Sequence, residues 1–257
     1  MGSASQASSD DESRSSPAGE ARDVFVSTQW SVVLTAARSD TTRAQEALAA
    51  LCQTYWRPLY IYARGRGCSR ENAEDLVQGF FAHFLQKNRL GGLNREQGRF
   101  RAFLLASLKH FMANEWDRAH RLKRGGHATH LSLDWPEAES RCQVEEAGAL
   151  NPDRAYDREW ALTLLDVVFG GLRDECIAEG KAESFHQLKG YLSVGKSEIP
   201  YAEVARRLNQ DIGAVRVAVH RLRRRYRKLV RQEIARTLSS PEQVDEEMRS
   251  LFAALTA

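Results

Sequence analysis

The chain has 257 residues, 42% of them hydrophobic and 28% charged, with a formal net charge of +3. That length and apolar content admit two small domains with real cores. No run of about eighteen apolar residues is present to span a membrane. The polar N-terminus also lacks the apolar stretch of a secretory signal, so the expected location is the cytoplasm.

Residues 1–23 are Ser-, Ala-, Gly- and acid-rich and read as a disordered tail whose serines are open to phosphorylation. Residues 24–124 read as one helical domain. Ser27–Thr28 precedes a short helix over Gln29–Leu34. Apolar residues at three- and four-residue steps from Ala44 to Tyr62 predict a helix over Thr42–Gly65, kinked or split at Pro58. Ser69 caps the next helix, whose stripe is Ala73, Leu76, Val77, Phe80, Phe81, Phe84 and Leu85. A third helix over Gly98–Arg121 turns Phe100, Phe103, Leu104, Leu108, Phe111 and Met112 inward. Residues 125–153 carry Pro136, Pro152 and the acids Asp134, Glu137, Glu139, Glu145 and Glu146 with little periodicity, and read as an acidic linker. Residues 154–237 read as a second helical domain, with helices at Asp153–Ala178, Ser184–Leu192, Tyr201–Leu208 and Ile212–Thr237. Residues 238–257 close the chain with an amphipathic helix over Pro241–Leu255, set either to pack on the second domain or to bind a regulator. No alternating strand pattern occurs, so the fold class is all-α: two small helical domains joined by a linker.

Cys52, Cys68, Cys142 and Cys176 sit at no metal-ligand spacing and read as free thiols. His120, His127 and His130 lack the companions of a zinc site. No metal and no cofactor is expected.

The segment from Tyr201 to Leu222 fits a helix–turn–helix. Val204, Ala205 and Leu208 form the inner face of the first helix, and the small Ala205 allows a close crossing. Asn209 occupies the turn, where left-handed geometry is tolerated. Asp211 caps the second helix, which buries Ile212, Val215, Val219, Leu222, Tyr226 and Leu229. Its other face presents Arg216, Val217, His220, Arg221, Arg224 and Lys228. Between Tyr201 and Arg236 eleven basic residues face three acids. The run Arg221, Arg223, Arg224, Arg225, Arg227 and Lys228 contains no acid, and its mutual repulsion calls for an external polyanion. A guanidinium-rich helix face suits the major groove of duplex DNA.

Two further stretches complete a pattern: Arg70-Glu-Asn-Ala-Glu-Asp-Leu-Val-Gln-Gly-Phe-Phe, and Phe100 to Arg121 ending in Asn-Glu-Trp-Asp-Arg-Ala-His-Arg. With the helix–turn–helix, in this order and spacing over residues 40–236, the chain resembles bacterial RNA polymerase sigma factors of the extracytoplasmic-function type, in a subgroup with extended ends. The resemblance implies that the helical units are sigma domains two and four. It implies docking of Glu74, Asp75 and Gln78, on the polar side of the Phe-rich stripe, against a coiled coil of core RNA polymerase. Two positions depart from the pattern: Asn72 stands where the family has Asp, and Gly79 lowers helix propensity. The resemblance further implies that Asn114, Trp116, Arg118, His120, Arg121, Lys123 and Arg124 melt promoter DNA and hold the exposed strand, with Trp116 either a stacking platform or a core residue. The acidic linker would thread toward the polymerase cleft. The partners implied are core polymerase and promoter DNA, duplex and melted, with an anti-sigma factor or a regulatory kinase as a further class, and no membrane. The chain itself is expected to carry no catalysis. The rivals are a stand-alone helix–turn–helix regulator and a nuclease using Glu74 and Asp75, whose side chains diverge by about 100° on a helix.

Overall fold

The computed structural model describes residues 42–84, 98–121, 135–136, 138–140, 151–192 and 199–256. The expected tail and the short helix over 29–34 lie outside them. Helix accounts for 86% of the described residues and no strand occurs among them, so the fold is all-α. None of these helices is long and apolar enough to cross a membrane.

Helix α1 spans Thr42–Gly65 and continues through Pro58 rather than splitting there. Its second half is buried on every side, with Leu59, Tyr60, Ile61, Tyr62 and Ala63 consecutively shielded. A helix apolar all round belongs inside a bundle, and the second half of α1 is enclosed in that way. Helix α2 spans Arg70–Phe84. Ser69 begins it as expected, its Oγ accepting from Asn72 N at 3.2 Å. Helix α3 spans Phe100–Arg121. The two interlock through aromatic rings, Phe80 on Phe111 at 5.8 Å and Phe84 on Phe103 at 6.2 Å between centroids.

Residues 135–136 and 138–140, within the stretch read as a linker, are helical and packed. Trp135 lies edge-on to Trp56 at 4.9 Å and beside Tyr60 at 5.4 Å. Glu139 accepts from Arg64 Nε at 3.1 Å and Nη2 at 2.9 Å, and from the Tyr60 hydroxyl. Periodicity misses this segment because its anchors are one indole and one carboxylate, not a stripe.

Helix α4 spans Pro152–Ala178. The Asn151 side chain accepts from Asp153 N at 3.0 Å and Pro152 stands in the first turn, a combination that starts a helix sharply. Helix α5 (Ala182–Leu188) runs into a 3₁₀ turn at Lys189–Tyr191. Helices α6 (Tyr201–Arg207) and α7 (Ile212–Arg236) follow, then a 3₁₀ turn at Pro241–Gln243 and helix α8 (Val244–Thr256).

One buried cluster draws on α1, α2, α3, α4, the end of α7 (Val230, Ile234) and α8 (Val244, Leu251). A smaller one holds Leu188, Tyr191, Val204, Ala205, Val215 and Val219. The larger cluster therefore joins α4, the end of α7 and α8 to the helices that precede the stretch read as a linker.

The closing helix packs inward through Val244 and Leu251, and Glu247 on the same stripe is wholly buried. Arg101 on α3, 7% exposed, donates to Glu247 from Nε at 2.5 Å and Nη2 at 3.2 Å. It also bonds Asp157 on α4, and its guanidinium lies 4.4 Å from the centre of the Trp160 ring. Burial disfavours the Arg101 charge, but the bond and charge of Glu247 and the charge of Asp157 outweigh it and hold the guanidinium protonated. Beside it Arg99 pairs with Glu246 at 2.5 Å and Glu247 at 3.0 Å. The Phe100 amide donates to the Thr237 carbonyl at 3.0 Å. The start of α3 is thus fastened to the turn before α8 and to α8 itself.

Removing one member of a buried pair strands the other's charge. Arg101→Ala is expected to destabilise the fold by about 3–5 kcal/mol, whereas the double change Arg101→Met with Glu247→Leu recovers most of the loss. Chemical denaturation of the two variants checks this; equal losses would refute the account.

Candidate nucleic-acid interface

The turn between α6 and α7 is built as its residues require. Leu208 N and Gln210 N close the end of α6 on the Val204 and Ala205 carbonyls at 2.9 Å each. Asn209 sits at φ 50°, the left-handed region that asparagine tolerates better than most side chains. Asp211 then caps α7, its carboxylate accepting from Ala214 N at 3.0 Å. The backbone N–H groups of Ala214, Gly213 and Ile212 hold the Asp211 carboxyl below its ordinary range. Val204, Ala205, Val215 and Val219 close the crossing.

Tyr191 and Tyr201 stack nearly parallel, 4.9 Å between centroids and 9° between planes. The Tyr191 hydroxyl donates to the Ile199 carbonyl at 2.6 Å. The Arg216 guanidinium stands 5.8 Å from the Tyr201 ring centre, steadied near the start of α7. The sequence reading missed this tyrosine pair, because ten residues separate positions that only the fold stacks.

Arg216, Val217, His220, Arg221, Arg224 and Lys228 are all exposed. Val217, Arg221, Arg224 and Lys228 follow steps of four, three and four, one continuous stripe. Among the described residues no carboxylate pairs with Arg221, Arg224 or Lys228. Two expectations need correction. Ile212, the first residue of α7, is 41% exposed rather than buried, and Val230 and Ile234 are the buried apolar residues farther along. The arginine run is also not wholly unpartnered: Arg225 is bidentate to Glu175 of α4 at 2.8 and 2.5 Å, and Arg223 Nε donates to the Tyr191 carbonyl at 2.8 Å. These two tie α7 to its supports, while the outer stripe stays open. On α6, Glu203 takes both Arg206, at 2.5 Å, and Arg207, at 3.0 Å.

In the first helical region Asp75 is exposed, and Glu74 pairs with Arg70 at 2.9 Å one turn back. Gln78 is 6% exposed, so it stands inside the stripe rather than on its polar side. With Ala73, Val77, Phe80 and Phe81 also buried, the inner face of α2 is wide enough to take it in. Asn114 is exposed. Helix α3 runs through Trp116, Arg118, His120 and Arg121, but their side chains, like Lys123 and Arg124 altogether, lie outside the described residues. Among the described residues no histidine, cysteine and carboxylate groups gather as metal ligands. Cys52 is buried, which pushes its thiol up to about 12. Cys68 and Cys176 are half-buried free thiols, and Cys142 lies outside the described residues.

A depressed carboxylate stabilises above its ordinary range and loses that contribution as pH falls toward its lowered value. The first turn of α7 is therefore expected to loosen on acidification through that window, seen as movement of the Ala214 amide resonance. Asp211→Asn keeps the cap and abolishes the pH response; Asp211→Ala loosens the turn at every pH.

A scan against protein-family models and searches of curated proteins and of solved structures find no match to this chain.

Proposed function

We propose that the chain is a sigma factor that directs core RNA polymerase to promoters and takes part in opening them, acting in the cytoplasm and catalysing nothing itself. The observation that carries the reading is the helix–turn–helix: a left-handed Asn209, a capping Asp211, and beyond them an exposed stripe with Arg221, Arg224 and Lys228 lacking carboxylate partners. Neighbouring cations on one helix repel, and phosphate oxygens or guanine edges in the major groove relieve that repulsion. Arg223 and Arg225 add to this by fixing the helix from behind.

The polymerase half rests on the resemblance of α2 and α3 to the family's motifs. Of the docking residues, Asp75 and the partly exposed Glu74 face solvent. Arg70 must release Glu74 before it meets a basic partner helix, and Gln78 would act only by shaping the surface. Those features favour a second reading in which the chain is a stand-alone helix–turn–helix regulator that needs no polymerase.

In vitro transcription separates the two. The sigma reading expects co-elution with core polymerase in gel filtration and new transcript starts that depend on the chain. Tight duplex binding without polymerase, together with no co-elution, supports the regulator and defeats the sigma reading. In either case Arg224→Ala is expected to lower the slope of log affinity against log salt by about 0.9, one phosphate contact's worth. An unchanged slope removes Arg224 from the interface.

A further inference from the structure

Helices α4, α7 and α8 diverge around a cleft of about 440 Å³, within the range of about 300–1,000 Å³ usual for small-molecule sites. Its floor is apolar, with Leu165 and Phe169 from α4, Val230 from α7, and Met248 and Leu251 from α8. Its cations are Lys189, Arg223 and Arg227, and no carboxylate is among its described lining residues. The bond from Arg223 Nε to the Tyr191 carbonyl brings that arginine to the turn that carries Lys189, so the charges come together toward the helix–turn–helix side. The same bond uses Nε alone and leaves both terminal nitrogens of Arg223 to donate elsewhere. At the lip stands Phe252, 53% exposed although it lies on the otherwise inward stripe of α8.

An apolar floor, a cationic end and no carboxylate among the described lining residues form an amphipathic arrangement, and its complement is a molecule with an apolar tail and an anionic head. Its volume is that of a small-molecule site, which points to a single small molecule as the occupant. We propose that this cleft binds a single-chain amphipathic anion, its acyl tail over Leu165, Val230 and Met248 and its carboxylate or phosphate head between Lys189, Arg223 and Arg227. The site is independent of the proposed transcriptional role and stands or falls by binding alone.

The chain has three methionines, Met1, Met112 and Met248, and Met248 lies on the cleft floor. Methyl-labelled methionine in the full-length protein thus reports on the cleft directly. Titration with monomeric decanoate is expected to move the Met248 methyl resonance saturably, with one-to-one stoichiometry by calorimetry, and to leave Met112 in place. Decyl phosphate should act alike, which shows that the site accepts either head. Decanol, with the tail alone, and acetate or inorganic phosphate, with the head alone, should bind at least tenfold more weakly. Reversing the exposed charge, Arg227→Glu, should weaken decanoate at least tenfold while circular dichroism stays unchanged. Met248→Trp should block the floor, and if that variant is unstable the charge reversal alone decides. No shift at Met248, equal shifts at Met112, or decanol binding as well as decanoate would overturn the proposal. So would concentration-dependent self-association abolished by Phe252→Asp with no decanoate effect, since a second copy of the chain would then be the occupant.

Discussion

The pairing of Arg101 with Glu247 is the contact on which the architecture turns. It lies in the core, joins residues 146 positions apart, and recruits Asp157 from a third helix. Burying such charges is expensive unless every polar atom finds a partner. Here the guanidinium is forked by Glu247, bonded to Asp157 and covered by Trp160. Pairs of this kind add little net stability over apolar residues of equal size. A purely greasy α8 could slide along α4 and α7 at small cost. A carboxylate that must meet the guanidiniums of Arg99 and Arg101 cannot.

The helices were readable from three- and four-residue spacing because burial on one side of a rod leaves a periodic trace. Both helices of the helix–turn–helix, the left-handed Asn209 and the Asp211 cap follow from local chemistry and appear where that chemistry puts them. What escaped reading depends on partners distant in sequence. Gln78 looked solvated because it is polar, but the width of the buried face of α2 is set by what packs on it. Ile212 looked buried because it is apolar, but it stands at the first position of α7 and stays 41% exposed. Glu139 looked like part of an acidic linker, and its fate depended on Tyr60 and Arg64, more than seventy residues away. Glu247 did leave a trace: it falls three residues after Val244 and four before Leu251, a carboxylate in an apolar stripe, which is the pattern of a buried ion pair.

The basic residues of α7 divide by the direction in which they point. Arg223 and Arg225 face the body and are held by a carbonyl and a carboxylate. Arg231 reaches Asp245 of α8 at 2.6 Å. Arg221, Arg224 and Lys228 face outward. Positive charge in one helix thus serves two ends, fixing the helix to its scaffold and offering a cationic surface. A count of charges, without direction, assigns both sets to the same task.

Helix α7 has 25 residues, about 37 Å at 1.5 Å per residue. Its beginning is sealed into the small cluster with Val215 and Val219, and its end into the large one with Val230 and Ile234. The two cores therefore share a beam. Six buried residues hold the small cluster, so it is the part with least to lose in a partial opening. If it melts, the far end of α7 remains clamped, and refolding starts from a template that already carries half of the helix. Such a helix pays the cost of nucleation once for both cores.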